Sequence, residues 1–524
     1  MTSVAASVER QFERFGPAYR WLVTIGGLIG AMTMILAATM VNVAVPSIMG
    51  AFGVGQDLAQ WASTAFLATM VASQLLNVWM VTAMGPRLAF SMTLVVFTVG
   101  ALICAVSPNI EVLIVGRILQ GFSAGVIQPL VMATIIQVFP AERRGFAVGL
   151  YGMGVTLAPS FGPLFGGITI DAMAWRDIFI VVLPLVAVAF VMGLAFMPTK
   201  KLSRSLPRFD WAGFALLCTA LVCLMTGVGN GQRWGWVSND IVGLFVVGFA
   251  TAILFVYWQA HTSAPLLDLT LFLNGRFAAA MVIAFVFGAG NFASNYAIPV
   301  FTQAVQGFSA TDAGMVLVPA GILLVVMIPF SGRLADMVAE HYPIMIGCAL
   351  FAYASYLLAA ADVNTPFLSM ALFAIGTRLG LGLVMPNMGS AAMKSIQMER
   401  LNQGAGTYNF TRQLGGAFGV NGLVAIMELR TARHAEHLAA TQTSANSLTR
   451  EFLEKTQHLL AESGVPEALH RTGAIDYLGK VIHAQATSSG FQDGFMVIAL
   501  VFVAALVPAW LLRRTRRTLV PAAA

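Results

Sequence analysis

Charge is what this chain has least of. Only 10% of its 524 residues are Asp, Glu, Lys or Arg, while 58% are apolar and the mean hydropathy is +0.81. A soluble domain carries about 25% charged residues. A soluble enzyme is therefore excluded in practice, as is a disordered chain, which needs low hydrophobicity. Cysteine is equally sparse. Cys104, Cys218, Cys223 and Cys348 all fall in apolar stretches, so they read as buried filler rather than a disulfide scaffold or a metal centre. No nucleophile–base pair or phosphate loop is visible, and neither an enzyme nor a cofactor is expected. What the composition does support is an all-α polytopic membrane protein.

The apolar residues fall into fourteen segments of about 20 residues, the length that spans a bilayer. They lie near 21–46, 59–82, 88–107, 112–136, 146–168, 178–197, 211–229, 241–260, 277–304, 312–333, 342–361, 366–388, 403–427 and 491–512. The first twenty residues carry Arg10, Arg14 and Arg20 but no small-residue cleavage site, so the first segment reads as a retained span. Basic residues set the orientation. With the N-terminus inside, the inner loops and tails hold Arg87, Arg143, Arg144, Lys200, Lys201, Arg276, Arg333, Lys394 and the run from Arg513 to Arg517. The short outer loops hold Arg176 and Arg233. Both termini are expected in the cytoplasm. A polar stretch, 428–490, falls outside as the longest loop, and Leu448, Phe452 and Leu459–Leu460 predict one or two amphipathic helices in it.

The basic stretch 200–210 separates six spans from the rest, and six spans follow Arg276. The chain thus divides into an N-terminal bundle (1–198), two linker spans (199–262) and a C-terminal bundle (263–524). Gly85-Pro86-Arg87 is echoed by Gly332-Arg333-Leu334-Ala335-Asp336 in the second half. Repeated halves with a site between them are a common plan of secondary transporters.

Span 5 carries a ladder of small residues, Gly154, Ala158, Gly162 and Gly166, with Gly167 beside it and Pro159 and Pro163 interleaved. A step of four puts the small residues on one stripe, where another helix approaches closely. The prolines remove ladder hydrogen bonds and permit bending. Plain helix packing and a mobile, gating role both fit this pattern. Three arginines sit within spans: Arg117, Arg378 and Arg412. Arg117 lies about 9 Å in from the nearer membrane edge. A guanidinium there is costly and must meet a cavity or a partner. Gln120 shares its face. Asn291 and Asn295 on span 9, Asn42 on span 1 and Asn409 on span 13 are further candidates to line a polar path, although single Asn residues also serve as helix–helix hydrogen bonds.

Gly154-x-x-x-Ala158-Pro159-x-x-Gly162-Pro163-x-x-Gly166-Gly167 resembles the span 5 antiporter motif of major facilitator superfamily drug exporters. Arg117-Ile118-Leu119-Gln120-Gly121 is similar to the superfamily's Arg-x-x-Gln-Gly element. Asn42-Val43-Ala44-Val45-Pro46 is similar to its Asn-Val-Ala-Leu-Pro element, and Tyr408 to Gln413 resembles a stretch of EmrB-type proteins. With fourteen spans and a long outer loop, the chain resembles the EmrB/QacA-type 14-span drug:proton antiporters over its whole length. The resemblance implies the major facilitator fold and secondary active export of small amphipathic or toxic compounds. It places the protein in the bacterial inner membrane, implies that small molecules, protons and lipid are its partners, and excludes nucleic acid. It also suggests a periplasmic adaptor and an outer-membrane channel, the 445–462 helix being the docking candidate. That helix capping the pump's own mouth is the alternative.

The chain departs from that family in its acids. The family's span 1 Asp is Ala37 here. No Asp, Glu or His falls in mid-span, so the usual proton carrier is missing. In the loop after span 2 the family's first Gly, Asp and Arg are Val78, Thr82 and Ala83, while Gly332 and Asp336 survive in the second half as latch candidates. Arginines without acids favour an amphipathic anion, such as an aromatic or fatty acid, that carries its own proton. A downhill facilitator or importer is the alternative that the missing Asp supports.

Overall fold

The computed structural model describes residues 3–140, 144–200, 209–262, 265–397, 400–443 and 445–514. Among them every regular element is a helix, the only regular element besides a closed barrel that satisfies its backbone inside lipid. The N-terminal part comprises α1 (Ser3–Phe15), α2 (Tyr19–Phe52), α3 (Gln56–Ala59), α4 (Trp61–Gln74), α5 (Asn77–Ala105), α6 (Ile110–Val138), α7 (Arg144–Ala172) and α8 (Leu183–Phe196). Then come α9 (Trp211–Trp234) and α10 (Asn239–His261). The C-terminal part comprises α11 (Gly275–Ala304), α12 (Ala310–Met315), α13 (Val318–Met337), α14 (His341–Ala359), α15 (Phe367–Met393), α16 (Leu401–Ala440), α17 (Ser447–Glu462), α18 (Glu467–Ala504) and α19 (Leu506–Arg514).

Local chemistry sets many of the ends. Asn109, Asp210, Ser238, Asn274 and Ser309 accept from backbone N–H groups at the starts of α6, α9, α10, α11 and α12. Gly53, at φ +63°, ends α2 in the left-handed conformation. Gly85, at φ +82°, kinks α5 just before Pro86, between the expected second and third spans. Eleven helical stretches among the described residues are long and apolar enough to cross a membrane. The expected spans 59–82, 146–168 and 403–427 are not among these eleven, although helices occupy all three. The first is interrupted at Leu75–Leu76, and α16 carries many polar residues.

The region 428–490 is not a loop. The structure corrects this expectation: α16 runs to Ala440 and α18 begins at Glu467, with α17 between them. At 1.5 Å per residue, α16 and α18 are roughly 60 Å long, about twice the hydrocarbon core. They project as a hairpin with α17 packed on α18, where Phe452 stacks on Tyr477 at 6.0 Å. The predicted amphipathic helix is α17.

Within the first half, α2 packs on α6, α7 and α8, and α6 on α4 and α5. Within the second, α11 packs on α16, α15 on α13 and α14, and α18 on α14 and α16. The pair α9–α10 lies outside. Helix α9 touches α4 and α16, whereas α10 leans on α9 and exposes Val246, Phe249, Ile253 and Val256. Helix α1 lies across the end that carries the N-terminus. Phe15 meets Phe196 edge-on, and Ser7 bonds Thr199 at 2.8 Å. At the same end, Arg87 donates to the Met197 carbonyl at 2.9 Å and Lys200 Nζ donates to the Thr82 carbonyl. Hydrogen bonds to carbonyls thus secure the loop that lacks the family's acid.

The halves meet at the opposite, distal end. Gly167 lies against the Ala310 carbonyl, and Gly314 against that of Pro163. The Thr311 N–H donates to Asp171 at 2.8 Å, and Asn42 Nδ2 to the Asn295 carbonyl at 3.3 Å. A methyl at either glycine enters the other half's backbone. Overpacking of this kind costs about 1–3 kcal/mol. Gly167→Ala and Gly314→Ala should each bias the seam open. In a background with the four cysteines changed to serine, a Ser63→Cys probe should then react about tenfold faster or more with a maleimide added from the distal side, tenfold being roughly 1.4 kcal/mol. An unchanged rate would count against a tight seam.

Candidate functional site

A cavity lies between the halves. The first half supplies an apolar wall of Ile35, Ala38, Met70, Val155 and Pro159, with Gln128 as its polar group. The second half supplies the polarity: Asn291, Asn295, Arg378, Arg412 and Gln413, set among Phe287, Phe292, Leu324, Leu381 and Met385. Among the described residues no Asp or Glu lines it.

The geometry follows from helical spacing. Asn291 and Asn295, four apart on α11, share a face, and Asn295 Nδ2 donates to the Asn291 carbonyl at 2.8 Å. Arg378 on α15 is buried to 1% exposure. Its Nη1 donates to Asn291 Oδ1 at 3.3 Å and Ser294 Oγ at 3.2 Å, and its Nη2 has no partner. Arg412 on α16 reaches Asn409 Oδ1 at 3.4 Å and leaves its buried Nε unpartnered. Gln413 Nε2 donates to Gln128 Oε1 at 3.4 Å, bridging the halves, while Tyr151 donates to the Gln128 carbonyl at 2.9 Å. Two guanidiniums with spare N–H groups thus face an apolar wall, the chemistry that suits an anion with an apolar body.

Arg117 is elsewhere. It is fully buried among α2, α4 and α6, and the cavity lining does not include it. Its Nε donates to the Ala62 carbonyl at 2.6 Å, and its Nη1 to the Ala37 carbonyl at 3.3 Å and Gln120 Oε1 at 2.8 Å. The Phe66 ring covers the guanidinium at 4.4 Å. Gly121 and Gly125 let α6 approach the α4 backbone beside it. The residue at position 37, an Asp in the family, gives Arg117 a carbonyl.

The remaining candidates divide. Asn42 accepts from Ser63 at 2.9 Å and donates across the seam, outside the cavity lining. Gly154, Gly162 and Gly166 face α2 at Met32, Thr39 and Met40, Pro159 faces the cavity, and Gly167 alone of the glycines faces the other half. Ala158 and Pro163 are buried in the same helix. Gly332 has open space beside it, and the Asp336 side chain lies outside the described residues. The ion pairs at that corner centre on Glu340, a residue sequence reasoning passed over. It binds Arg276 at 2.9 Å and Lys394 at 3.0 Å. Burial raises the Glu340 carboxyl, but its own backbone and the two cations outweigh this and hold it below the usual range.

This is the architecture of an integral membrane transporter, with a cavity between two sets of helices. The sequence matches the Major Facilitator Superfamily over residues 27–420, and the chain belongs to that family. The uncharacterized MFS-type transporter YhcA of Bacillus subtilis is 27% identical over 94% of this chain and 92% of its own. The multidrug export protein EmrB of Haemophilus influenzae is 25% identical over 93% and 95%. A bacterial homologue of the lysosomal transporter Spinster, solved in an inward-facing and occupied conformation, superposes with a TM-score of 0.59 at 15% identity, covering 95% of this chain and 97% of that one. Members of this superfamily are transporters rather than enzymes.

Arg117→Ala removes two interhelical bonds of about 0.6 kcal/mol each together with their packing, an expected loss of roughly 1–3 kcal/mol. Thermal unfolding in detergent should show a lower midpoint, with Arg117→Lys intermediate. Unchanged stability with transport abolished would instead place Arg117 on the substrate path.

Proposed function

We propose that this protein is a secondary active exporter of small amphipathic compounds and that it favours lipophilic organic anions. The observation that carries this reading is the cavity lined by the buried Arg378, the half-buried Arg412 and no carboxylate among its described lining residues. A hydrogen bond to a charged group is worth about 1.5–3 kcal/mol, and an unmatched buried N–H costs a similar amount. An anion that meets Arg378 and Arg412 gains from both. A lipophilic cation finds no counter-charge. The relatives named for multidrug export support the direction of transport.

In this reading the halves 1–198 and 263–524 rock about the cavity, with 199–262 as linker spans, all fourteen segments cross the membrane, and both termini lie in the cytoplasm. The transported acid carries the proton, since the cavity offers no carboxylate to do so. The test uses vesicles with an imposed pH gradient. A lipophilic aromatic acid should be transported, and Arg378→Gln or Arg412→Gln should cut that rate about tenfold or more, the equivalent of roughly 1.4 kcal/mol or more. Efficient pH-driven transport of a lipophilic cation with no acid transport would overturn the reading, and downhill counterflow without a gradient would favour a facilitator.

The projecting hairpin supports a second component, docking of a periplasmic adaptor that leads to an outer-membrane channel. Leu448, Leu459, Leu469, Ile475 and Tyr477 are all more than half exposed on α17 and α18. Removing 441–466 with a short linker should abolish adaptor co-purification and leave membrane insertion intact. Retained co-purification would favour a cap over the pump's own mouth.

A further inference from the structure

The first long helix of each half carries the same element near its distal end. Asn42 and Pro46 stand four apart on α2, and Asn295 and Pro299 four apart on α11. Proline has no backbone N–H, so in a helix the carbonyl four residues earlier loses its donor. The carbonyls left over are those of Asn42 and Asn295 themselves. A buried carbonyl at membrane depth must find another donor. For Asn295 that donor comes from the other half, since Asn42 Nδ2 reaches its carbonyl at 3.3 Å. Both residues are buried. Asn42 is also aimed by a neighbour. Ser63 on α4, itself buried, donates to Asn42 Oδ1 at 2.9 Å, which occupies the amide oxygen and leaves Nδ2 for the seam. The Asn295 side chain takes no part in this bond. It is engaged along its own helix, with Nδ2 donating to the Asn291 carbonyl at 2.8 Å and to Asn291 Oδ1 at 3.3 Å.

We infer that Asn42, oriented by Ser63, and the carbonyl freed by Pro299 form the bolt of the distal gate. A carbonyl that already accepts its helical N–H has less to gain from a neighbour, whereas one freed by proline lacks any donor until a neighbour supplies it. In the closed state the Asn42 amide supplies it. Opening parts the two groups and lets water serve each of them, so neither is left unpaired in either state. The bond therefore defines one register of the halves without making that state irreversible. It joins α2 to α11, whereas the close glycine contacts of the same seam join α7 to α12. Pro299 thus does more than permit a bend in α11, because it creates the acceptor that the other half grips. The sign follows. Removing the Asn42 amide orphans the Asn295 carbonyl only while the seam is closed, so the loss favours opening.

The bolt is independent of which cargo is carried, and its test needs no transport. In a background with the four cysteines changed to serine, spin labels at Val106→Cys and Val363→Cys report the distance between the two halves' distal ends in lipid nanodiscs. Both positions are well exposed. Asn42→Ala should raise the open/closed ratio about tenfold, the scale of one buried carbonyl left unpaired. Ser63→Ala, which keeps the donor but frees its orientation, should raise the ratio by less. The deciding variant is Pro299→Ala, which returns an N–H to α11 and gives the Asn295 carbonyl a donor of its own. In that background Asn42→Ala should change the ratio by about twofold or less. Pro299→Ser restores the same N–H and should give the same result. An effect of Asn42→Ala that persists undiminished in both proline variants would overturn the inference and make Asn42 a plain packing contact. So would a ratio that Asn42→Ala leaves unchanged.

Discussion

A guanidinium inside a membrane must be answered, and in this chain it is answered without a carboxylate. Arg117 is held by two carbonyls, an amide oxygen and an aromatic face. Each partner is weaker than an acid, so the site works only if α2, α4 and α6 are fixed at the right distances. The small residues of α6 and the arm of α4 serve that end. Arg117 thereby turns an electrostatic cost into a constraint on helix placement. All three arginines leave one buried nitrogen without a partner, but only Arg378 and Arg412 line the cavity between the halves. That difference in place, not in satisfaction, sets Arg117 apart from the other two.

The seam poses the complementary problem. Two halves that must part cannot be joined by a large apolar core. They meet through backbone contacts at Gly167 and Gly314 and a few polar bonds. Backbone contact at glycine is close in shape but small in area, which gives a well-defined closed state that a modest change in free energy opens. Pro159 in the cavity wall sits on the same helix as Gly167. A bend of α7 at its prolines would therefore move the cavity lining and the seam together.

Much of this was legible in the sequence because periodicity encodes faces. Asn291 and Asn295 were paired by their spacing, and Arg378 and Arg412 stood out as charges in apolar runs. The ladder of span 5 announced close packing. Its partners did not show, because Gly162 and Gly166 face α2 while only Gly167 crosses to α12. Arg117 read as a polar path residue, yet its partners are backbone carbonyls, which no side-chain pattern records. The region 428–490 read as a loop on its polarity. One or two amphipathic helices were legible in it; what the polarity hid is that the flanking spans continue into it as α16 and α18, as its Ala, Glu, Leu and Arg content favours.

Energy coupling follows from where the charges sit. An organic acid that leaves with its proton moves no net charge, whereas one that leaves as the anion from an inside-negative cell gains about 2.3 kcal/mol per 100 mV for each charge moved. A titrating carboxylate in the cavity would then add nothing to the driving force, and it would repel the cargo. Replacing the family's Asp with Ala37 is consistent with that economy. A carrier of cations needs the opposite arrangement, an acid at the centre to bind the cargo and exchange it for a proton. The two solutions exclude each other in one cavity, since a carboxylate near Arg378 or Arg412 would neutralise the groups that hold an anion.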